Sequence, residues 1–438
     1  MSTIFVANRG EIAARIIGTA QALGHRCAVA RPSVDADLPY VMAADVVVDL
    51  VSPRDFADVE AMTAAAVQVG ADLVHPGYGF LSENADFARA VRDVGMTFIG
   101  PSAEVIETMG DKANARQVAA LAGVAGPAGS DGPVADRAAA LAVADAIGYP
   151  LMVKAVAGGG GIGMAVARDE TQLVAALDQV TGRAQTVFGD GRLIIERYVE
   201  RARHVEVQVM GLPDGQVVAL GERDCSVQRR HQKVVEESPS PVLDVAARAQ
   251  LRAQASSLAK SVGYLNAGTV EFLYDLDSGE IAFLEMNTRL QVEHPVTEVV
   301  HGVDLVAWQI AIAQGSSEIP AGLELEPRGH AIELRVYAED SVRFLPRPGT
   351  ITTWNMPQGK DIRVDAGYRL GNSVTPYFDP LLAKIIASGS TRPEALAVAR
   401  AAIGELRVDG PGVNVDFLSR VLASAAFESG QYPTGLVG

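Results

Sequence analysis

The chain has 438 residues, 48% hydrophobic and 21% charged, with 53 acidic against 37 basic side chains and a net charge of −16. That length suits two or three domains, and the acidic balance excludes a general binder of nucleic acid or anionic membrane, so any anionic ligand needs a local cluster of cations. Only Cys27 and Cys225 are present, which excludes a disulfide framework or a cysteine zinc site; no run of about 18 apolar residues suggests a membrane span.

The first stretch, "MSTIFVANRGEIAARIIG", carries Arg9 and Glu11 within its apolar residues, unlike a signal peptide; a cytoplasmic protein is expected. "TIFVAN" reads as a strand, and "GEIAARIIGTAQALG" as a helix with Ile12, Ile16, Ala20 and Leu23 at helical spacing, closed by Gly24. "ADVVVDL", "ADLVHPG" and "MTFIG" repeat the strand signal, with helix-like "DFADVEAMTAAAVQVG" and "NADFARAVRDVG" between them. Strands alternating with helices of this length imply a parallel sheet covered on both faces. "GVAGPAGSDGPVAD", residues 123–136, reads as a linker.

Beyond it, "LMVKA" and "MAVAR" flank Gly158 to Gly161 and Gly163, as two arms of a hairpin with Lys154 on the incoming arm. Bare backbone at such a tip can donate N–H groups to phosphate oxygens. "MGDKANARQVAALAGV" opens a helix near Asp111 with Lys112 in its first turn, where the helix dipole disfavours a cation unless an anionic ligand is near. "AGTVEFLYD" and "IAFLEMN" read as strands joined by "LDSGE". With Asp275 facing Ile281, Glu271 lies opposite Glu285, and Asn287 shares their face. Like charges across a sheet repel, so hard oxygens in that arrangement call for a divalent cation such as magnesium.

"ERDCSVQRRHQK" places Arg223, Arg229, Arg230, His231 and Lys233 together, a local anion pocket in an acidic chain; Cys225 within it reads as packing. In "HAIELRVYAED", Ile332, Leu334 and Val336 alternate with Glu333, Arg335 and Tyr337, fixing Arg335 on one strand face where it could stabilise an oxyanion. His75 in "HPGYG" reads as structural.

These residues resemble the biotin carboxylase component of biotin-dependent carboxylases, within the ATP-grasp group. The likeness runs through "ANRGEIA", "HPGYGFLSEN", "FIGP", "MGDK", "GGGG", "RHVEVQV", "ERDCSVQRRHQKVVEE", "EMNTRLQVEHPVTE", "RVYAED" and "YFDPLLAKI", essentially the whole chain. It implies an α/β and α+β fold: a Rossmann-like parallel sheet over 1–112, a linker over 113–136, an ATP-grasp lid with the glycine flap over 137–203, an ATP-grasp core over 204–330, and a mixed β/α domain over 331–438. It also implies ATP, magnesium or manganese, bicarbonate and biotin as ligands. By resemblance Lys112 and Lys154 contact phosphates, Gly159 and Gly160 form the flap, and Glu196 and Val199 flank adenine. His204, Gln228 and His231 make further nucleotide contacts, and Glu271, Glu285 and Asn287 hold the metal. Lys233, Arg289, Gln291 and Val292 form the bicarbonate pocket, Glu293 is the base, and Arg335 steadies the biotin enolate.

Relatives usually carry a basic residue after the four glycines and another after the Met; here Ile162 and Ala165 stand there. Gly18 replaces an Arg common at the family's homodimer surface, and an interior helical Gly costs about 1 kcal/mol relative to Ala. The competing readings are another ATP-grasp carboxylate, carbamoyl-phosphate or amino-acid ligase, opposed by the Gln228–Lys233 block with Arg335, and a non-catalytic nucleotide-binding scaffold. No Met-Lys-Met biotin attachment site occurs, so a biotin carboxyl carrier and carboxyltransferase on other polypeptides or portions are the expected partners.

Overall fold

The computed structural model describes residues 1–157, 163–230 and 232–436. At the N-terminus, β1 (Thr3–Val6), α1 (Gly10–Ala22), β2 (Arg26–Arg31), α2 (Pro39–Ala43), β3 (Val46–Asp49), α3 (Val59–Gln68), β4 (Leu73–His75), α4 (Ala85–Asp93) and β5 (Thr97–Phe98) alternate. Their strands form an all-parallel sheet in the order β3-β2-β1-β4-β5, the expected Rossmann-like layer. Both faces are covered, so β1 is apolar from Ile4 to Val6: Ile4 and Val6 pack with Ile12 and Ile16 of α1, Phe5 with Met62 and Phe87 on the other side. The turn after β4 requires Gly77, at φ +63°, because a Cβ would sit 2.9 Å from the Asn8 amide nitrogen that donates to the Pro76 and Tyr78 carbonyls. His75 is fully buried, accepts the Gly77 N–H, and burial lowers its pKa to about 3; it is structural.

Next come α5 (Ala103–Gly110) and α6 (Lys112–Leu121). The stretch 113–136 is not a free linker. Ala115 and Ala119 of α6 belong to a core with Val207, Phe272 and Phe283, and the Ser130 and Val134 amides donate to the Ile195 and Leu193 carbonyls at 2.8 Å. The glycines misled because at least one marks close backbone approach rather than freedom: a Cβ on Gly129 would lie 2.3 Å from the Ile195 oxygen.

The lid consists of α7 (Arg137–Ile147), β6 (Leu151–Ala155), β7 (Met164–Ala167), α8 (Glu170–Phe188) and β8 (Leu193–Arg197), with an antiparallel sheet β7-β6-β8 backed by both helices. β6 and β7 are the two arms of the expected hairpin. Gly159, Gly160 and Ile162, which fall between these arms in the sequence, lie outside the described residues, as does His231.

The remaining chain is built around one large sheet. It runs through β9 (Ala202–Gly211), β10 (Val217–Arg229), β11 (Gln232–Ser238), α9 (Val245–Ser261), β12 (Asn266–Asp275), β13 (Ile281–Asn287), α10 (His294–His301), α11 (Leu305–Ala313) and β14 (His330–Tyr337). Short β15 (Gly349–Thr350) and β16 (Thr353–Asn355), then β17 (Ile362–Ala366), short β18 (Ser373–Val374), β19 (Leu381–Gly389), α12 (Arg392–Glu405), short β20 (Arg407–Asp409), α13 (Val415–Ala423) and α14 (Ala425–Ser429) follow. Eight of these strands form an antiparallel sheet in the order β13-β12-β9-β10-β11-β14-β19-β17. The expected boundary at 330/331 therefore falls inside a continuous sheet, because β11 pairs with β14 from Ser238↔Ala331 to Val235↔Leu334. Among the described residues no single helix is long and apolar enough to cross a membrane.

Candidate active site

A cleft of about 1440 Å³ opens between the parallel sheet, the lid and the large sheet. Of the eighteen residues assigned site roles by the family resemblance, the fifteen that are described all line it; Gly159, Gly160 and His231 are the other three.

At the lid end, Glu196 on β8 is held by Arg116 of α6 at 2.5 Å and by Lys154 of β6. Lys112, in the first turn of α6 whose N-cap is Asp111, reaches Glu285 of β13 at 3.0 Å. Burial works against the Lys112 charge, but Glu285 raises its pKa overall. Val199 lines the same end.

The β12–β13 pairing carries a correction. Tyr274, not Asp275, faces Ile281, and a bulge at Leu284 restores the expected partnership of Glu271 with Glu285 and of Thr269 with Asn287. The extra residue re-aims the strand end, so the two glutamates face each other as anticipated, by a different route. Asn287 Nδ2 donates to Glu271 at 2.8 Å, and Glu285 opens toward the cleft with its side chain 35% exposed.

Lys233 of β11 is the hub of the middle. Its ammonium meets Glu206 at 2.5 Å, Glu293 at 2.6 Å and Glu271 at 2.9 Å. Burial disfavours this charge, yet the three carboxylates leave the Lys233 pKa well above its ordinary value. Its ammonium satisfies the two groupings of closely spaced acidic ligands, Glu206 with His204 and Glu271, and Glu206 with Cys225 and Glu293. His204 Nε2 lies 2.7 Å from Glu271, and its Nδ1 is 2.8 Å from the Gln228 amide. Burial raises the Glu271 pKa, but Lys233 and then His204 outweigh it and hold the carboxyl below the usual range.

Glu293 is the N-cap of α10, with Pro295 inside the first turn; the helix N-terminus favours its negative charge. Its carboxylate is fully buried between Lys233 and, at 2.9 Å, Arg335 of β14. Burial opposes ionisation, but Lys233, Arg335 and Arg223 hold the group well below the usual carboxylate range. Just before it, Arg289 donates to Glu83 at 2.8 Å, Gln291 at 3.0 Å and Asn287 at 3.1 Å. The Val292 carbonyl accepts from Lys384 at 2.7 Å.

Arg223, counted from sequence among the anion-pocket cations, lies elsewhere. It is fully buried below the cleft, bonded to Glu206 at 2.6 Å and to Gln208, Thr269 and Thr297. It braces Glu206 instead of meeting a ligand. Cys225 is fully buried and its thiol is pushed well above the ordinary range by burial and then Glu206, so it packs and is no nucleophile. Sequence reasoning passed over Arg116, Glu83, Glu206 and Glu236. Arg116 stands one helical turn after Lys112, and Glu206 alternates with His204 on β9; both spacings were available signals.

Ligand chemistry runs in order along the cleft: lysines and a carboxylate under the lid, facing acidic side chains, a cation among carboxylates, then a guanidinium. Comparison with known proteins agrees. Models described as "Biotin carboxylase, N-terminal domain", "Carbamoyl-phosphate synthase L chain, ATP binding domain" and "Biotin carboxylase C-terminal domain" match residues 1–106, 111–318 and 333–438. Biotin carboxylase of Halalkalibacterium halodurans is 46% identical over 437 residues, covering 99% of this chain and 96% of the relative. The crystal structure of the biotin carboxylase β,γ-ATP complex from Campylobacter jejuni superposes with a TM-score of 0.96 at 41% identity, covering 99% and 98% of the two chains. The biotin carboxylase domain dimer of Hydrogenobacter thermophilus 2-oxoglutarate carboxylase, in complex with MgADP, ADP and bicarbonate, gives 0.95 at 40% identity, covering 99% and 96%.

Proposed function

The chain belongs to the biotin carboxylase family, and on that premise we propose that it carboxylates biotin with bicarbonate at the expense of ATP, yielding carboxybiotin, ADP and phosphate. The single observation that carries this reading at residue level is that every described residue given a ligand or catalytic role by the family resemblance lines one cleft.

Bicarbonate is a poor electrophile, and phosphorylation by ATP converts it to carboxyphosphate, a step governed by positioning and charge neutralisation. Lys112 and Lys154 exchange their carboxylate partners for the phosphates. Glu271, Glu285 and Asn287 offer carboxylate and amide oxygens, which suit magnesium or manganese, and the outward, half-exposed Glu285 fits an ion shared with a nucleotide. When bound, that ion neutralises charge on the transferring phosphoryl group. Glu196 and Val199, with His204 and Gln228, shape the nucleotide end.

Lys233, Arg289, Gln291 and Val292 hold bicarbonate, and Glu293 takes its proton. Two cations keep Glu293 a weak base while the cleft is empty. Bicarbonate drawing on Lys233, and the biotin ureido oxygen drawing on Arg335, loosen that grip and raise its basicity when both substrates are present. Arg335 then stabilises the enolate of biotin, with the released phosphate as the base for the ureido N–H. Carboxybiotin passes to a carboxyltransferase, and in the cell the acceptor is biotin on a carrier protein or domain, in the cytoplasm where ATP is available. A homodimer fits the same reading.

The test is phosphate release from purified chain with magnesium-ATP, with and without bicarbonate and free biotin. Release that requires both supports the proposal. Release with bicarbonate and ammonia or an amino acid, independent of biotin, replaces it with a ligase; ATP binding without turnover replaces it with a scaffold.

A further inference from the structure

Behind Arg335 lies a pair of carboxyls that the chemistry above does not use. Glu236 of β11 and Glu333 of β14 are direct cross-strand partners, both fully buried, so their side chains share one sheet face. Arg335 is two residues from Glu333 on that face, and its Nη2 lies 2.6 Å from Glu236 and 2.9 Å from Glu293. The oxygens of both Glu236 and Glu333 lack a hydrogen-bond partner of regular geometry; Glu236 meets Arg335 as an ion pair, and Glu333 has no such contact among the described residues. α10 covers the face, with Val296 and Val300 against Ala331 and Ile386.

The charges around the pair decide its state. Arg335 and Tyr337 belong to β14, Lys233 to β11, Cys225 to β10 and Lys384 to β19, which pairs with β14 at Arg335↔Lys384. Glu293 and His294 stand at the start of α10. Lys233 is engaged by Glu206, Glu271 and Glu293, and Lys384 by Glu11 at 3.2 Å and the Val292 carbonyl. Burial, then Lys384, keeps His294 neutral. Among the described residues Arg335 alone pairs with Glu236, and no cation pairs with Glu333. Two adjacent buried carboxylates sharing one cation do not both ionise. Burial, offset in part by Arg335, brings Glu236 to about 7, and burial drives Glu333 well above the carboxylate range.

We propose that Glu236 and Glu333 are a positioning pair for Arg335: ionised Glu236 clamps one edge of the guanidinium so that the rest presents to the biotin ureido oxygen, while protonated Glu333 keeps the pair at one negative charge. This rests on the biotin-carboxylating reading. Ionisation of Glu333 adds a second charge behind Arg335 and draws it from the cleft, so turnover falls as pH rises.

The experiment measures biotin-dependent phosphate release by wild type, Glu236→Gln and Glu333→Gln across pH, with ATP binding followed separately. In Glu236→Gln, kcat falls roughly 10- to 100-fold, the usual cost of losing an orienting partner, with the KM for ATP unchanged. In Glu333→Gln, the neutral isostere, the alkaline decline moves up by about one pH unit or more while the acid limb stays. Undiminished kcat in Glu236→Gln overturns the clamp. An alkaline limb of Glu333→Gln that coincides with wild type overturns the protonated partner. Should Glu236→Gln fail to bind ATP, the Glu333→Gln profile alone decides. A wild type that releases no phosphate with biotin sinks the parent reading instead, which keeps the two failures apart.

Discussion

Replacing Glu293 with Gln isolates the proposed base. The side chain is fully buried and touches Lys233 at 2.6 Å and Arg335 at 2.9 Å. Neither cation is stranded by the change, since Lys233 keeps Glu206 and Glu271 and Arg335 keeps Glu236. The fold therefore loses only the difference between charged and neutral hydrogen bonds, roughly 1–3 kcal/mol. Catalysis loses far more. A positioned base contributes about 100- to 10,000-fold, which at 1.36 kcal/mol per decade is roughly 3–5 kcal/mol of barrier. ATP affinity holds, because Lys112, Lys154 and Glu196 pair at the lid end without Glu293. Phosphate release with bicarbonate and biotin, beside a calorimetric titration with nucleotide, reads both quantities. Turnover within tenfold of wild type in a variant that binds ATP normally refutes the assignment.

Other changes probe the surroundings. Arg116→Ala leaves Lys154 as the one remaining cation on Glu196 among the described residues and so less available to phosphate; the KM for ATP rises roughly tenfold, as for one charge-assisted hydrogen bond, with kcat at saturation retained in steady-state assays. Glu237 is buried, yet His330 and Arg392 outweigh burial and lower its pKa from 4.5 to about 2. Its folded value lies below its unfolded one, so its stabilisation is full above pH 4.5 and drains away as pH falls toward 2, a loss of about 3 kcal/mol. Melting curves from pH 7 to pH 3 should accordingly steepen less in Glu237→Gln; an unchanged slope contradicts the linkage. Tyr432 stacks under Arg203 and donates to Glu237 at 2.6 Å. Tyr432→Phe lowers the urea midpoint, with stability down by about 1–3 kcal/mol and kcat untouched, since the hydroxyl is spent away from the cleft.

Much of the site could be read from sequence because strand period and charge type together over-determine it. Glu271 and Glu285 could be paired from two strands and a short loop, and Arg335 could be placed on a face by alternation. The bulge at Leu284 could not, since an apolar residue gives no sign of which way a strand skips. Glu236 and Glu333 went unnoticed for another reason. A sheet covered on both sides loses the rule that polar positions face water, so "VVEES" and "IELRV" do not announce that their acids are buried together. Pairing of β11 with β14, some ninety residues apart, is a tertiary fact with no local signature. Arg223 was misplaced because proximity along a strand says nothing about which side a side chain takes when bulges interrupt the ladder, as they do in β10.

The seam between β11 and β14 limits how this polypeptide can be divided. Cutting at 330 would strip each piece of its partner over the four residue pairs from Val235↔Leu334 to Ser238↔Ala331 and leave two unprotected strand edges, the kind that seek out other chains. Stretches that look modular by composition are thus halves of one plate, and neither can be traded for a foreign segment without also importing its mate. The lid, whose three strands form a sheet of their own and, among the described residues, are tied by main-chain bonds to the preceding chain only along residues 128–134, lies outside this constraint. Motion at the lid leaves the large sheet undisturbed, so Lys233 and Arg335, carried on its strands β11 and β14, keep their spacing.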